Sequence, residues 1–179
     1  MRITYYVHSI TEDNERGLAT GWLEGKLSEE GIKRANAVGR QLDDIALDAV
    51  FCSDLHRAMD SADLFFKGKF LQFLDWRLRE CNYGELDGTP AQDFKKNREH
   101  EYIRTAYPGG ESYHDVEKRM QRFLEDVKGL YPNGHIGIVG HQATQLALEV
   151  ITKGATWGEA FKNDWRKTQA WQLGWEYEF

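Results

Sequence analysis

Three short runs, RITYYV (residues 2–7), DAVFC (48–52) and HIGIVG (135–140), are rich in β-branched and apolar residues, and each gives way to polar residues and then to a helical pattern. This alternation constrains the fold more than any other feature of the chain. Runs of that length and composition suit strands. After the first comes LSEEGIKRANAVGRQL, with Ser28 placed to cap a helix and Glu29 and Glu30 in its first turn. Ile32, Ala35, Val38, Gly39 and Leu42 fall at helical spacing in it. After the second comes SDLHRAMDSADLFF, read as a helix opened by a capping pair, Ser53 and Asp54. HQATQLALEVI follows the third and begins at His141. Strands alternating with helices predict an α/β fold, a three-layer sandwich around a mostly parallel sheet.

In such sheets ligands bind beyond the carboxyl ends of the strands. His8, Arg57 and His141 each follow one of the three predicted strands, so the topology carries them to one edge. Helix N-termini at that edge add backbone N–H groups and the positive ends of helix dipoles. Two histidines and an arginine meeting there describe an anion site, most simply a phosphoryl site.

The stretch between the second and third strands is less periodic. LDWRLRECNYGELDGTP and YPGGESY read as an excursion over one end of the sheet, with a short helix near residues 91–104. ESYHDVEKRMQRFLEDVKGLY reads as a long helix, with Val116, Met120, Phe123 and Val127 stepping by four, three and four. The tail AWQLGWEYEF alternates aromatic residues and predicts an edge strand. Together with Trp165 it could also close a pocket or bury a dimer contact, and the oligomeric state stays open.

Hydrophobic residues make up 41% and charged residues 29% of the 179-residue chain, which suits a single soluble domain over residues 1–179. No apolar run approaches the ~20 residues of a membrane helix. Arg2 leads straight into strand-like residues without a signal-peptide pattern, so a cytoplasmic location is expected. A net charge of −6 argues against a nucleic-acid partner but allows a local pocket for a small anion. Cys52 and Cys81 lack any CxxC spacing, and neither a disulfide nor a metal site is expected; one buried and one incidental thiol is the simplest reading. His100, His114 and His135 match no required role. His56 could touch a ligand at the rim, Arg77 and Arg79 read as ion-pair residues, and Trp22 and Trp76 as packing or pocket walls.

In order along the chain, HSITEDN, TGWLEGKLSEEGIKRA, FCSDLHRAMDSA, DWRLRECNYGELDG, YPGGESY and IVGHQA resemble the successive motifs of the histidine phosphatase superfamily, the group that includes phosphoglycerate mutase. The resemblance covers nearly the whole chain and implies a phosphoglycerate mutase-like fold. It implies a phosphatase that hydrolyses a small-molecule phosphate monoester through a phosphohistidine on His8, without a cofactor. Arg57 would clamp the phosphoryl oxygens, His141 would stabilise their charge, and Glu80 would act as general acid and base with a raised pKa. Either Glu80 or Glu85 could supply that carboxyl on position alone; the resemblance favours Glu80. Thr11, Asn14, Thr20 and Tyr83 match positions that line the substrate side. Mutase activity is less expected, because the middle excursion is short and lacks a basic insert.

The chain departs from the family's pattern at its nucleophile. Where the family has Arg-His-Gly it has Val7, His8 and Ser9, with Ile10 in place of a glutamate and Gln142 in place of a glycine. Ser9 or Arg16 could compensate for the absent arginine. Two alternatives follow from the same departure: a related enzyme acting on a less anionic or non-phosphate ester, and a non-catalytic binding protein of the same fold.

Overall fold

The three apolar runs form strands β1 (Arg2–Val7), β2 (Ala49–Cys52) and β4 (His135–Gly140), and two further strands, β3 (Gln72–Leu74) and β5 (Trp175–Glu178), complete one sheet. The computed structural model describes residues 1–93 and 99–179. Strand order is β3-β2-β4-β1-β5; all pairings are parallel except that of β5 with β1, which is antiparallel. In the register Val7 faces Gly140 and Cys52 faces Val139, so β1, β2 and β4 end level with one another.

Alternation along the strands sends side chains to two cores. Ile3, Tyr5, Phe51, Ile136 and Ile138 join one, which α4 (Tyr113–Leu130), α5 (Gln142–Lys153) and α6 (Trp157–Lys162) cover. Tyr6, Val50, Cys52 and Val139 join the other, beneath α2 (Glu29–Gln41) and α3 (His56–Phe66). The architecture is therefore the expected α/β sandwich of three layers. Val116, Met120, Phe123 and Val127 are all buried along α4, as their spacing predicts.

Several local expectations need correction. Ile32 is exposed, because α2 buries the stripe of Gly31, Ala35 and Gly39 instead. A Cβ on Gly31 would stand 1.9 Å from the Ile10 carbonyl oxygen, so only glycine lets the loop after β1 lie on this helix. Helix α3 begins at His56 with Leu55 as its cap residue and no side-chain cap; Ser53 and Asp54 are occupied elsewhere. The polar cluster after β1 contains a short helix, α1 (Glu12–Arg16), which the sequence did not suggest. Of the helix expected near 91–104, residues 92–93 are helical, 94–98 lie outside the described residues and 99–104 form turns. The terminal strand is only four residues long, and Trp165 belongs to a separate helix, α7 (Trp165–Thr168). Both cysteines are buried and free, not one of the two, and burial raises the pKa of each thiol. Among the described residues, no helix is long and apolar enough to cross a membrane.

Candidate active site

His8 continues the β1–β4 pairing by one bond, its N–H donating to the Gly140 carbonyl at 3.0 Å, and Ser53 does the same toward Val139 at 3.0 Å. The sheet itself thus delivers residues 8, 53 and 141 side by side. The imidazole rings of His8 and His141 lie 5.0 Å apart between centroids. His8 Nδ1 is 2.7 Å from the Ser9 carbonyl oxygen, which can only accept, so Nδ1 carries the proton and Nε2 keeps its lone pair. Burial, joined by the nearby Arg57 charge, lowers the His8 pKa to about 3. The ring is therefore neutral at ordinary pH.

His141 is fully buried. Its Nε2 meets the Ser53 hydroxyl at 2.8 Å, and its Nδ1 is buried without a hydrogen-bond partner. Burial, followed by the Arg57 charge, holds its pKa well below the usual imidazole value. The backbone behind it is braced by Tyr5, whose hydroxyl donates to the His141 carbonyl at 2.9 Å.

Arg57, only 2% exposed, donates to the Gly21 carbonyl at 2.7 Å and the Leu23 carbonyl at 2.8 Å, so this one side chain both faces the cavity and tethers the loop above it. Glu80 Oε1 accepts from the backbone N–H groups of Cys81 at 2.8 Å and Ala143 at 3.0 Å, the latter in the first turn of α5. This fixes one carboxylate oxygen and leaves Oε2 for the cavity. The loop carrying Glu80 is clamped from α4 by Arg119, which donates to the Glu80 carbonyl at 2.8 Å while pairing with Glu111 at 2.9 Å. A second loop closes against it, and a Cβ on Gly110 would come within 2.2 Å of the Asn82 carbonyl oxygen.

His8, Arg57 and Glu80 line one cavity of about 290 Å³, a size that suits a compact ligand. Ser9, Asn14, Thr20, Tyr83 and Gln142 line it as well. Val7 also forms part of its wall, so the position without the family's arginine does face the site. Glu85 is exposed and outside the cavity, which leaves Glu80 as the carboxyl positioned to reach a ligand.

Some expected residues lie off the cavity, and others line it while bonded within the fold. Thr11 caps α1, accepting from the Asn14 N–H at 3.0 Å, and does not line the cavity. The Ser9 hydroxyl spends its only proton on the Gly31 carbonyl at 2.7 Å, and Arg16 is exposed beside Glu12, so neither replaces the absent arginine. Thr20 donates to Asp13 at 3.2 Å. Trp22 is a strut, its indole N–H donating to the Glu80 carbonyl at 2.7 Å, whereas Trp76 is exposed. His56 pairs with Glu24 in solvent, and Arg77 and Arg79 form the expected ion pairs with Asp75 and Asp54.

Three contributors were not among the expected site residues: Ser53, which reads as a helix cap in the sequence, Arg119 on α4, and Arg166 on α7, neither of which the sequence singles out. Arg166 lines the cavity. For Ser53 a signal existed, since it stands at the end of the same strand that delivers Arg57. For the other two, the arrangement depends on elements distant along the chain, which periodicity does not report because it reflects only local geometry.

A family model for the histidine phosphatase superfamily (branch 1) matches residues 7–177. The 2,3-bisphosphoglycerate-dependent phosphoglycerate mutase of Staphylococcus epidermidis is 31% identical over 145 residues, which cover 68% of this chain and 64% of that protein. The chain thus spans less than two thirds of the length of this relative. Among solved structures, the α-ribazole phosphatase of Shigella flexneri superposes with a TM-score of 0.77 at 26% identity, covering 90% of this chain and 84% of that one. A mycobacterial glucosyl-3-phosphoglycerate phosphatase gives 0.77 at 25% identity, covering 89% and 82%.

Proposed function

This chain belongs to the histidine phosphatase superfamily, and on that premise we propose that residues 1–179 act as one domain that hydrolyses a small-molecule phosphate monoester through a phosphohistidine on His8. The observation that carries the reading is the state of His8: a neutral ring, proton held on Nδ1 by the Ser9 carbonyl, with Nε2 free to attack.

In the first step the Nε2 lone pair attacks phosphorus, the Nε2–P bond forms, and the ester P–O bond breaks. Glu80 is the carboxyl placed to give a proton to the departing oxygen. In the second step water attacks phosphorus and the P–Nε2 bond breaks. The water's proton returns to Glu80, and the products are an alcohol and inorganic phosphate. Splitting the displacement in this way replaces one difficult step with two easier ones. Arg57 pairs with the phosphoryl oxygens through the part of its guanidinium fork not used on Gly21 and Leu23. His141 is buried behind the residues that line the cavity, its ring 5.0 Å from that of His8; if the Ser53 hydroxyl donates to its Nε2, the neutral ring carries its proton on Nδ1, from which it would donate to an equatorial oxygen of the group held on His8. The names of the two phosphatases it resembles support an ester of phosphate as the substrate class. Delivery of the phosphoryl group to a second hydroxyl instead of water would be the reaction for which the staphylococcal relative is named.

Intact mass after brief exposure to a reactive phosphate donor, quenched at alkaline pH, tests the reading. Wild type is expected to gain one phosphoryl group and to release free phosphate, and His8→Ala to gain none. An unmodified wild type that also leaves aryl phosphates intact would overturn it.

A further inference from the structure

The resemblance expects an arginine at position 7, where this chain puts an aliphatic residue on the cavity wall. A phosphoryl dianion brought against Val7 would lose a charged hydrogen-bond donor there. Among the described residues that line the cavity, only Arg57 and Arg166 are cations. Arg57 already donates to two loop carbonyls.

Arg166 is held at the wall by a built arrangement. Asp164, 3% exposed, caps α7 by accepting from the Arg166 N–H at 3.0 Å and also accepts from its Nη1 at 2.9 Å. The guanidinium lies over the Trp165 ring, 4.4 Å from its centroid, and the Trp165 indole N–H donates to Gln145 Oε1 at 3.1 Å. Contacts from Nη1 and Nη2 to that same Gln145 oxygen are long, 3.4 Å each, and are weak enough to exchange for a better acceptor. The other oxygen of Asp164 accepts from the side-chain amide of Gln142. Gln142 is the position where the resemblance expects glycine, which has no side chain to make that bond.

We propose that Arg166 takes over the phosphoryl contact of the missing arginine, and that Gln142 anchors the segment delivering it, so that the departures at positions 7 and 142 are two halves of one change. The proposal rests on the phosphatase reading above. The charge enters from the last elements of the chain instead of from the first strand, and a phosphate dianion remains a suitable ligand despite Val7. Consistent with this placement, the Arg166 charge contributes to the lowered pKa values of both His8 and His141.

The test uses the whole chain, an aryl phosphate monoester as substrate and inorganic phosphate as the competing ligand. Arg166→Gln is expected to weaken phosphate binding about 10- to 100-fold and to lower kcat by about 10²-fold. Arg166→Lys should retain most of the affinity. Gln142→Gly should lose part of the same affinity, and Gln142→Gly with Arg166→Gln no more than Arg166→Gln alone, the non-additivity of residues acting as a unit. Val7→Arg should restore at least about tenfold of the binding in the Arg166→Gln background, a rescue that a purely structural role for Arg166 would not permit.

Folded Arg166→Gln protein with wild-type phosphate affinity would overturn the proposal, as would a gain from Val7→Arg that is equal in both backgrounds. Should Arg166→Gln fail to fold, Val7→Arg in the native background decides. A gain of about 10²-fold in phosphate affinity would mean the site lacked its cation, and no gain supports Arg166 in that role. Turnover by wild type with an unaffected Arg166→Gln overturns this proposal alone. A wild type that neither turns over the ester nor binds phosphate overturns the functional reading, and this one with it.

Discussion

Ser53 shows how much a single hydroxyl can decide. It is fully buried, touches His141 Nε2 at 2.8 Å and also accepts from the Leu55 N–H at 3.3 Å. Its removal would leave a buried ring nitrogen without a partner, a loss of about 1–3 kcal/mol, and would remove the hydrogen bond on which the proposed Nδ1-protonated tautomer depends. Ser53→Ala is therefore expected to lower kcat by about one order of magnitude or more while KM changes little, the pattern of a lost transition-state contact. Ser53→Thr should recover part of the rate, because it restores the hydroxyl. Parallel kcat and pH–rate measurements on the two variants check this; an Ala variant with wild-type kcat would remove Ser53 from the mechanism. The identities of His8, Arg57, Glu80 and His141 as candidates were legible because each stands at a strand end or in an ordered motif. The partner of each was not, since no local pattern links residue 53 to residue 141 or residue 119 to residue 80.

Elements also position the site by resting directly on one another's backbone. The loop after β1 rests on α2: Ser28 N–H donates to the Ile10 carbonyl at 3.1 Å, and the Ser9 hydroxyl donates to the Gly31 carbonyl at 2.7 Å. A residue with a side chain at 31 would have to push that loop away, and the loop carries His8. Gly31→Ala is expected to destabilise the fold by about 1–3 kcal/mol, the usual range for overpacking. It should also reduce kcat disproportionately, because a displacement of about 1 Å at a reacting group can cost about 10²-fold. Thermal unfolding beside steady-state kinetics checks both halves, and a variant with wild-type rate would show that the loop does not lean on the helix. Helical periodicity found α2 but pointed to Ile32 instead of Gly31 as its core face. A glycine adds no hydrophobic signal even where it makes the closest contact.

Across the whole molecule, the histidines couple stability to pH. His8 is held at about 3 by burial and by Arg57, below the ordinary value near 6.5 that the unfolded chain would show. His141 is shifted in the same direction. Below that ordinary value the unfolded chain binds more protons than the folded one, so stability rises with pH through this window and is complete above it. His8 alone should cost about 1.4 kcal/mol for each pH unit from 6.5 down towards 3. Urea unfolding at pH 7 and pH 5 should show the loss, and His8→Asn should reduce it; equal midpoints for the wild type at both pH values would contradict the burial of neutral histidines.

The sequence by itself determined the three core strands, the helices that follow them, and the single edge at which His8, Arg57 and His141 emerge. Those features depend on side-chain periodicity and on the rule that parallel strands end together, and both act over short stretches of chain. Only the tertiary structure decided what surrounds that edge: Ser53 behind His141, Arg119 beneath the Glu80 loop, Arg16 pointing away, and Arg166 brought onto the cavity wall by Asp164 and Gln142. Each of these depends on where two distant backbones pass one another, a matter of packing in three dimensions that no spacing along the chain encodes.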